Sequence, residues 1–508
     1  MKRFFLSPPA QLLLGTLLVF CFSCSKDADL LSEYVITDDE QVLYAQYIVD
    51  DNYYVRPGSS VVLDVLTNDI IDDQAQVTIT NTSEPENGTI QINDDNTLTY
   101  TPTTTNVDEG STNNEETGPV TDTFDYTTEV VNEDESVTTD TGNVKVITND
   151  ITFDLNVRDF GAKGDGVSDD RVALQAAFDA AKNSGTPSDP SVIFVPSGTY
   201  LVRKQSENRL KMYGNTILIG EGENSVITIP PDPVLSWGTI LLVKDADNWE
   251  IRNLVIDGNW NNVVGTAEKG VANLLIDNCN YFTVDNFTGR NSWYNNIQIK
   301  NATHGDFTNN KLTNSDCQIQ TYGNTEYINI DDNFMDGHHW SEPIAFYRGS
   351  HNHLNIRRNT IKNKGYSHGI LIGKPDEPAA IHQNILIEDN VLYKINNGIG
   401  VNYGINKNVT VRGNSLYVEN EGIGLVNCTN CVVDKNTIST KWGGVPSVSQ
   451  GKTWTGEEDA EGGGQDAIAI TNNSGTVISN NIITWYGYMC IDIKGSTNVS
   501  QNNNSCPD

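Results

Sequence analysis

One asparagine returns along the C-terminal two thirds of the chain in a fixed hydrophobic frame. It stands at 310 (FTNNKL), 333 (INIDDNFM), 359 (LNIRRNTI), 390 (ILIEDNVL), 414 (VTVRGNSL), 436 (VVDKNTI) and 481 (VISNNII), at spacings of 22 to 45 residues. Ahead of each comes a second short strand: NIQIK, QIQTY, PIAFY, GILIG, GIGVN, GIGLV, AIAIT and CIDIK. A repeating unit of about 22 to 24 residues with two or three short strands describes one coil of a parallel β-helix. A lone coil cannot bury its apolar face, so stacking creates the core. Asparagine suits a corner of such a coil, because stacked amides hydrogen-bond from coil to coil and tolerate tight-turn dihedrals. The longer spacings place insertions, GKPDEPAA at 373–380 and a long polar loop at 440–465.

The first third is organised differently. Residues 51–150 hold short alternating runs broken by turn signals: SSVVLDVLTNDI, QVTIT, NGTIQIN, NTLTYTP, DTFDYTTEVV and GNVKVIT. Period-two alternation with Asn-Gly and Asp-Asn turns predicts a β-sandwich. The pattern VLTND…NGTI…LTYTP…DTFDYT resembles bacterial immunoglobulin or cadherin-like modules, which act as spacers. Of the net charge of −35, residues 25–150 contribute −25, from 28 acidic and 3 basic side chains. So acidic a chain is a poor partner for nucleic acid.

The start MKRFFLSPPAQLLLGTLLVFCFSC has two basic residues, a short apolar run and a cysteine after small residues. It resembles a bacterial lipoprotein signal: residues 1–23 are expected to be removed, Cys24 lipidated, and residues 24–50 left as an acidic tether. The expected location is then outside the cytoplasm, lipid-anchored to the outer membrane through Cys24 alone, as a monomer. The remaining cysteines (279, 317, 428, 431, 490 and 506) are too few for a disulfide scaffold in a chain this long. The lone C-x-x-C at 428–431 is a weak zinc signal, and a bridge or buried thiols is the better account.

The segment NVRDFGAKGDGVSDDRVALQAAFDAAKNSG (156–185) is rich in glycine yet fits neither a Walker loop nor a dinucleotide fingerprint. A strand runs into a glycine turn, Ser168 is positioned to cap a helix, and Asp169 and Asp170 suit its first turn. That helix offers Val172, Ala176, Ala177, Phe178 and Ala180 to a partner surface and covers the open end of the β-helix. The whole pattern DFGAKGDGVSDDRVALQAAFDAA…VIFVPSGTYLV…ILIGEGENSVI…IRNLVIDGN resembles the N-terminal part of the pectate-lyase-like superfamily. The resemblance implies a right-handed parallel β-helix over residues 151–508, all-β with an N-terminal capping helix, that acts on polysaccharides. RNLVIDGN and NSWYNN are most similar to mannuronan C5-epimerases. That motif continues with Asp and His, which NNIQIK does not supply after Tyr294, so the epimerase assignment weakens and a lyase gains.

In the I-x-I strands the isoleucines point inward, and alternate residues form an outer column. It begins with Asn296, Gln298 and Lys300, continues through Gln318, Gln320 and Tyr322, then Ala345 and Tyr347, and ends in small residues beside Asn402. All seven histidines lie between 304 and 382, and residues 343–374 hold six Lys or Arg and no Asp or Glu. A basic coil suits carboxylate or sulfate groups. The turns add Trp293 and Tyr294, then His338, His339, Trp340 and Glu342, then Tyr366 and His368.

These residue types fit removal of the acidic C5 hydrogen of a uronic acid and β-elimination of the C4 oxygen. The departing oxygen is a glycosidic link or the hydroxyl of a terminal sugar. Tyr294 and a histidine (His339 first, then His338 or His368) would exchange protons, and Lys300 and Arg348 would hold the carboxylate. Trp293, Gln298, Gln320, Tyr322, Trp340, Tyr347, Lys374, Asn402 and Tyr403 would bind sugar. The expected partner is an anionic polysaccharide or oligosaccharide, such as sulfated ulvan or alginate. No cofactor and no obligatory metal are expected, with structural Ca2+ the only ion considered. C5 epimerisation, inverting hydrolysis on Asp316, Asp331, Asp332 and Glu342, and non-catalytic glycan binding are the alternatives.

Overall fold

The computed structural model describes residues 48–55, 60–71, 75–103, 120–132, 135–148, 152–203, 208–230, 238–260, 271–338, 341–362, 368–439, 466–484 and 489–506. The expected signal segment, Cys24, most of the acidic tether, and the 440–465 loop lie outside the described residues. Among the described residues no helix is long and apolar enough to cross a membrane.

Each alternating run of the first third forms a strand. β1 (Asp51–Val55), β7 (Val137–Thr148), β6 (Val120–Val131) and β3 (Gln76–Thr82) make one sheet in that order. β2 (Val61–Leu63), β5 (Leu98–Pro102) and β4 (Gly88–Ile92) make the other. Inward residues of both sheets (Leu63, Leu98, Tyr100, Phe124, Tyr126, Val144, Val146) share one core, as a two-layer sandwich requires. The buried phenols find acceptors: Tyr126 donates to Val65 O at 3.0 Å and Tyr100 to Asp122 at 2.6 Å. β1, not anticipated from the sequence, pairs parallel to β7.

From residue 155 the strands pair in parallel with those one coil on, and a single core runs through the stack. On one face, strands Asn295–Thr308, Cys317–Tyr322, Ile344–Arg348, His368–Ile372, Asn397–Val401, Ile423–Val426, Asp466–Thr471 and Met489–Lys494 succeed one another. Their register stacks isoleucine on isoleucine: Ile297 on Ile319, Ile344, Ile370, Ile399, Ile423, Ile468 and Ile491. The first seven of these side chains are fully buried.

The repeated asparagine is a continuous buried ladder. Asn310 donates through Nδ2 to Oδ1 of Asn333, which donates to Asn359, and so on through Asn390, Asn414, Asn436 and Asn481, all at 2.8–2.9 Å. The ladder ends on Asn504, an eighth member. Each Oδ1 also accepts the backbone N–H of the preceding asparagine, at 3.0–3.1 Å. The insertion that makes the 45-residue spacing leaves this contact intact.

The capping helix spans Arg171–Ser184 and buries Leu174, Ala177, Phe178 and Ala181. Two expectations fail here. Val172 faces solvent at 62% exposure, because the buried stripe runs at i, i+3, i+4 and i+7 from Leu174. Ser168 belongs to a strand, and Asp170 holds the N-cap position with no side-chain bond to the helix. The Asp170 carboxylate instead receives the N–H groups of Lys163 and Gly164, at 2.7 and 3.1 Å, and so closes the glycine turn. Cys428 pairs with Cys431 and Cys490 with Cys506, while Cys279 and Cys317 are buried thiols.

Two histidines lie inside the core. His351 and His382 are fully buried and stack at 5.0 Å, and burial drives both imidazoles below their ordinary pKa, His382 to about 4. The unfolded chain protonates near pH ~6.5 and the folded one only near 4, so stability is lost as pH falls between those values. His382 alone accounts for up to ~3 kcal/mol of that loss. Asparagine occupies the same register position one coil later, at Asn406. We therefore expect His382→Asn to flatten the dependence of urea-unfolding stability on pH between 7 and 4.5.

Candidate functional site

The face carrying the I-x-I strands displays a repeated arrangement. Two residues before the first inward isoleucine of successive strands stand Glu342 (before Ile344), His368 (Ile370), Asn397 (Ile399), Glu421 (Ile423) and Asp466 (Ile468). One residue after that isoleucine comes a floor of Gln298, Gln320, Ala345, Leu371, Gly400, Gly424 and Ala469, aligned by the register. Beyond the floor lies a third row with Lys300, Tyr322, Tyr347, Arg348, Lys374, Asn402 and Tyr403. One edge is therefore carboxylate and imidazole, the opposite edge cationic and aromatic.

The small floor residues let side chains lie across the sheet. A Cβ on Gly400 would sit 2.8 Å from His368 Nε2, and one on Gly424 would collide with Glu421 Oε1. Neighbours then join into one line. Tyr294 and Tyr322 share a hydroxyl–hydroxyl bond at 2.7 Å. Tyr322 meets the Tyr347 ring edge-on at 6.3 Å. The Tyr347 hydroxyl reaches back to the Glu342 carboxylate and to Ser341 Oγ, and the Glu342 charge acts in turn on His368. Asn402 Nδ2 donates to His368 Nε2 at 3.2 Å. With these strands about 4.8 Å apart, the face from the strand of Tyr322 to the strand of Asp466 spans roughly 25 Å.

Burial sets the proton inventory. The phenols of Tyr294, Tyr322 and Tyr347 are pushed above the ordinary tyrosine value, chiefly by burial, so at neutral pH they donate protons. The Arg348 charge opposes the shift at Tyr294 and Tyr322. His368 is pushed down by burial, with the Glu342 charge opposing, which leaves it neutral and able to accept. Glu421 is raised to about 8 by burial and by the charge of Asp466. Asp466 is raised to about 6 by burial and Asp492. A protonated Glu421 can satisfy Asn402 Oδ1, which lies beside it over Gly424 and has no other partner among the described residues.

The cationic edge is partly compensated. Arg348 pairs with Asp376 at 3.0 Å, and Lys374 lies 4.9 Å above the Tyr347 ring. Lys300 aligns with Asp277, which already pairs with Lys244 at 3.1 Å. Gln320 accepts from Asn295 Nδ2 at 2.9 Å, and Trp293 meets Trp260 edge-on at 5.2 Å. Among the described residues no cluster of three His, Cys, Asp or Glu side chains is placed to hold a metal ion.

Of the residues predicted from sequence, Tyr294, Gln298, Lys300, Gln320, Tyr322, Tyr347, Arg348, His368, Lys374, Asn402 and Tyr403 share this face. Trp293 stands in the turn that feeds it. His338 ends the strand Phe334–His338, whereas His339, Trp340 and Tyr366 lie outside the described residues. Some expectations are corrected. Asn296 and Gln318 are buried, not part of the outer column, because they bond at 3.0 Å to Thr313 O and Asp336 O at the corner. Asp331 and Asp332 leave the fallback carboxylate set, since they pair with Arg357 and Arg358 on another side. Those pairs also take two arginines of the basic coil away from the site. Glu421 and Asp466 were missed, although the frame E-P-I-A-F, H-G-I-L-I, E-G-I-G-L, D-A-I-A-I marks their position.

Glu421 is open to a direct test. A difference infrared spectrum of wild type against Glu421→Gln is expected to show a protonated carboxyl band at pH 6.5 that fades as pH passes about 8.

Comparison with known proteins now has a geometry to attach to. Residues 155–445 match the rhamnogalacturonase A/epimerase, pectate lyase-like family, and residues 44–147 match a bacterial Ig domain. A mannuronan C5-epimerase of Azotobacter vinelandii is 36% identical over 123 residues, covering 23% of this chain and 14% of the relative. An alginate lyase of the same organism is 33% identical over 126 residues, covering 23% and 14%. The chain thus matches about a seventh of the length of each of these relatives. A family 28 exopolygalacturonase of Yersinia enterocolitica shares the fold, with a TM-score of 0.50 at 15% identity over 76% of this chain and 81% of that one. With more than half of its residues matched, the chain belongs to the rhamnogalacturonase A/epimerase, pectate lyase-like family, preceded by a bacterial Ig domain.

Proposed function

We propose that this protein is a carbon–oxygen lyase that acts on uronic acid residues of an anionic polysaccharide or its oligosaccharides. The observation that carries the reading is the neutral His368 opposite protonated tyrosines on one face. The two edges offer the acceptor and the donors that elimination needs on one face. Family membership supports a polysaccharide substrate.

In this reading a uronate lies along the floor with its carboxylate towards Arg348, Lys300 and Lys374. These cations stabilise the negative charge that develops when the C5 proton leaves. His368 Nε2, whose lone pair Asn402 holds in the free protein, takes that proton. The C5 electrons form the C4–C5 double bond, the C4–O bond breaks, and a hydroxyl of the Tyr294, Tyr322 and Tyr347 row protonates the departing oxygen. Gln298, Gln320 and Tyr403 bind sugar hydroxyls. His338, His339 and Trp340 remain proposed contributors, and the reaction is proposed to need no metal or cofactor. The protein would work outside the cytoplasm, as a monomer held to the outer membrane by a lipid on Cys24.

A second reading rests on Glu421 and Asp466. A protonated carboxyl beside a more acidic one has the composition of an acid–base pair for inverting hydrolysis.

Incubation with alginate, ulvan and polygalacturonate, and with oligomers of each, separates the readings. Elimination predicts a product with the ultraviolet absorbance of a 4,5-unsaturated uronate. His368→Ala is expected to lower its rate by at least ~100-fold and Tyr294→Phe by at least ~10-fold. New reducing ends without that absorbance, lost in Glu421→Gln, would favour hydrolysis. Solvent deuterium at C5 without either product would favour epimerisation. Binding without turnover would leave a glycan-binding protein.

A further inference from the structure

A second ladder runs along the adjoining face. Register places Asn215, Asn248, Tyr281, His304, Tyr327, His353, Asn384, Asn408, Asn430, Gly475 and Asn498 at one equivalent turn of successive coils. All eleven adopt the left-handed conformation, with φ between 50° and 71°. Asparagine, glycine and histidine are found in that conformation, whereas a tyrosine, as at 281 and 327, is strained in it. On four consecutive coils the turn nevertheless carries an aromatic ring.

Those rings are not there to fill a core. Tyr281 is 57% exposed and Tyr327 41%, and His353 also reaches solvent. They stack at 4.5, 4.8 and 4.5 Å, so their faces meet each other, while Tyr281 and Tyr327 keep solvent-exposed surface along the ladder. Strain held at exposed positions, where the neighbouring coils show an unstrained solution, points to a ligand.

Tyr281, His304 and Tyr327 line a cleft of about 490 Å³, within the ~300–1,000 Å³ typical of small-ligand sites. Pro187 and Pro190 also line it. Its floor is a row of outward polar residues that includes Glu250, Thr283, Asp306 and Asn329. Apolar walls suit the C–H faces of a sugar, and the hydroxyl, amide and carboxylate groups suit its hydroxyls. Of the two floor carboxylates Glu250 pairs with Arg252, and the Asp306 carboxylate, which accepts from Asn329 Nδ2 at 2.6 Å, opposes a uronate, so the charge differs from that of the site described above.

We propose that this cleft is a second, non-catalytic carbohydrate site that takes an uncharged, hydroxyl-rich glycan strand lying along the aromatic ladder. The site would hold the enzyme to neutral polysaccharide while the other face handles uronate.

The test uses the residue that the fold itself puts at this turn. Tyr281→Asn/His304→Asn/Tyr327→Asn/His353→Asn should fold, with a melting temperature within a few degrees of wild type. Tyr281→Asn/Tyr327→Asn is the milder version should the full set lose stability. Affinity electrophoresis is run through gels containing soluble xylan, a neutral β-glucan or polygalacturonate. Wild type is expected to be retarded at least twofold in one neutral gel, and the variants to migrate there as in a blank gel. Retardation by polygalacturonate is expected to be unchanged. Wild-type migration unaffected by every neutral polysaccharide, or variants retarded as strongly as wild type, would overturn the proposal. So would retention of neutral glycan by Tyr281→Asn/Tyr327→Asn.

Discussion

The buried asparagine ladder fixes the rest of the structure. Each amide spans one coil interval and also accepts a backbone N–H, so neighbouring coils cannot slip by a residue without breaking two bonds. A single such bond contributes only ~1 kcal/mol net, but leaving a buried amide unpaired costs ~1–3 kcal/mol. The ladder therefore specifies register more than it adds stability. It does so even across the 45-residue interval between Asn436 and Asn481, where the chain makes its longest excursion. With register fixed, any side chain is repeated at about 4.8 Å, and the chemistry of a face follows from which residues share a lateral row.

That geometry explains how a strongly acidic protein can present a site with two different edges. The row of Glu342, His368, Glu421 and Asp466 is held close over a floor of alanine and glycine, where burial keeps the imidazole uncharged and two carboxyls raised. The opposite row keeps its cations near solvent. In the proposed reading, a uronate lying between the rows would meet proton acceptors on one side and charge-compensating groups on the other. No single residue defines the site. The line of contacts from Tyr294 to Asn402 shows that coils remote in sequence are chemically adjacent.

The parts legible in the sequence were those with a strong period. The ladder at Asn310 to Asn481, the inward isoleucine pairs and the six sandwich runs could be read directly. The face holding Tyr294, Tyr322, Tyr347 and His368 followed from strand alternation. What alternation could not show is where a coil turns a corner. Asn296 and Gln318 have outward parity, yet they bond to carbonyls of a strand that follows their own and are buried. His351 and His382 have no periodic signal, yet they lie inside, in register with each other and with Thr325. Glu421 was passed over because its acidity looked like one more surface charge in an acidic chain. Its meaning came from Gly424, whose missing side chain makes room for it. Val172 reads as apolar and lies on the wrong side of its helix, an error of phase rather than of period.

The central claim is that stacked coils place His368 and the Tyr294–Tyr322–Tyr347 row along one groove that holds a uronate chain. The most direct measurement is a crystal structure of the inactive His368→Asn variant with a bound acidic oligosaccharide. The account predicts sugar density along the floor from Gln298 to Gly424, with a uronate carboxylate beside Arg348 and its C5 facing position 368. An oligosaccharide bound on any other face, or lying with its carboxylates away from Arg348, Lys300 and Lys374, would contradict it.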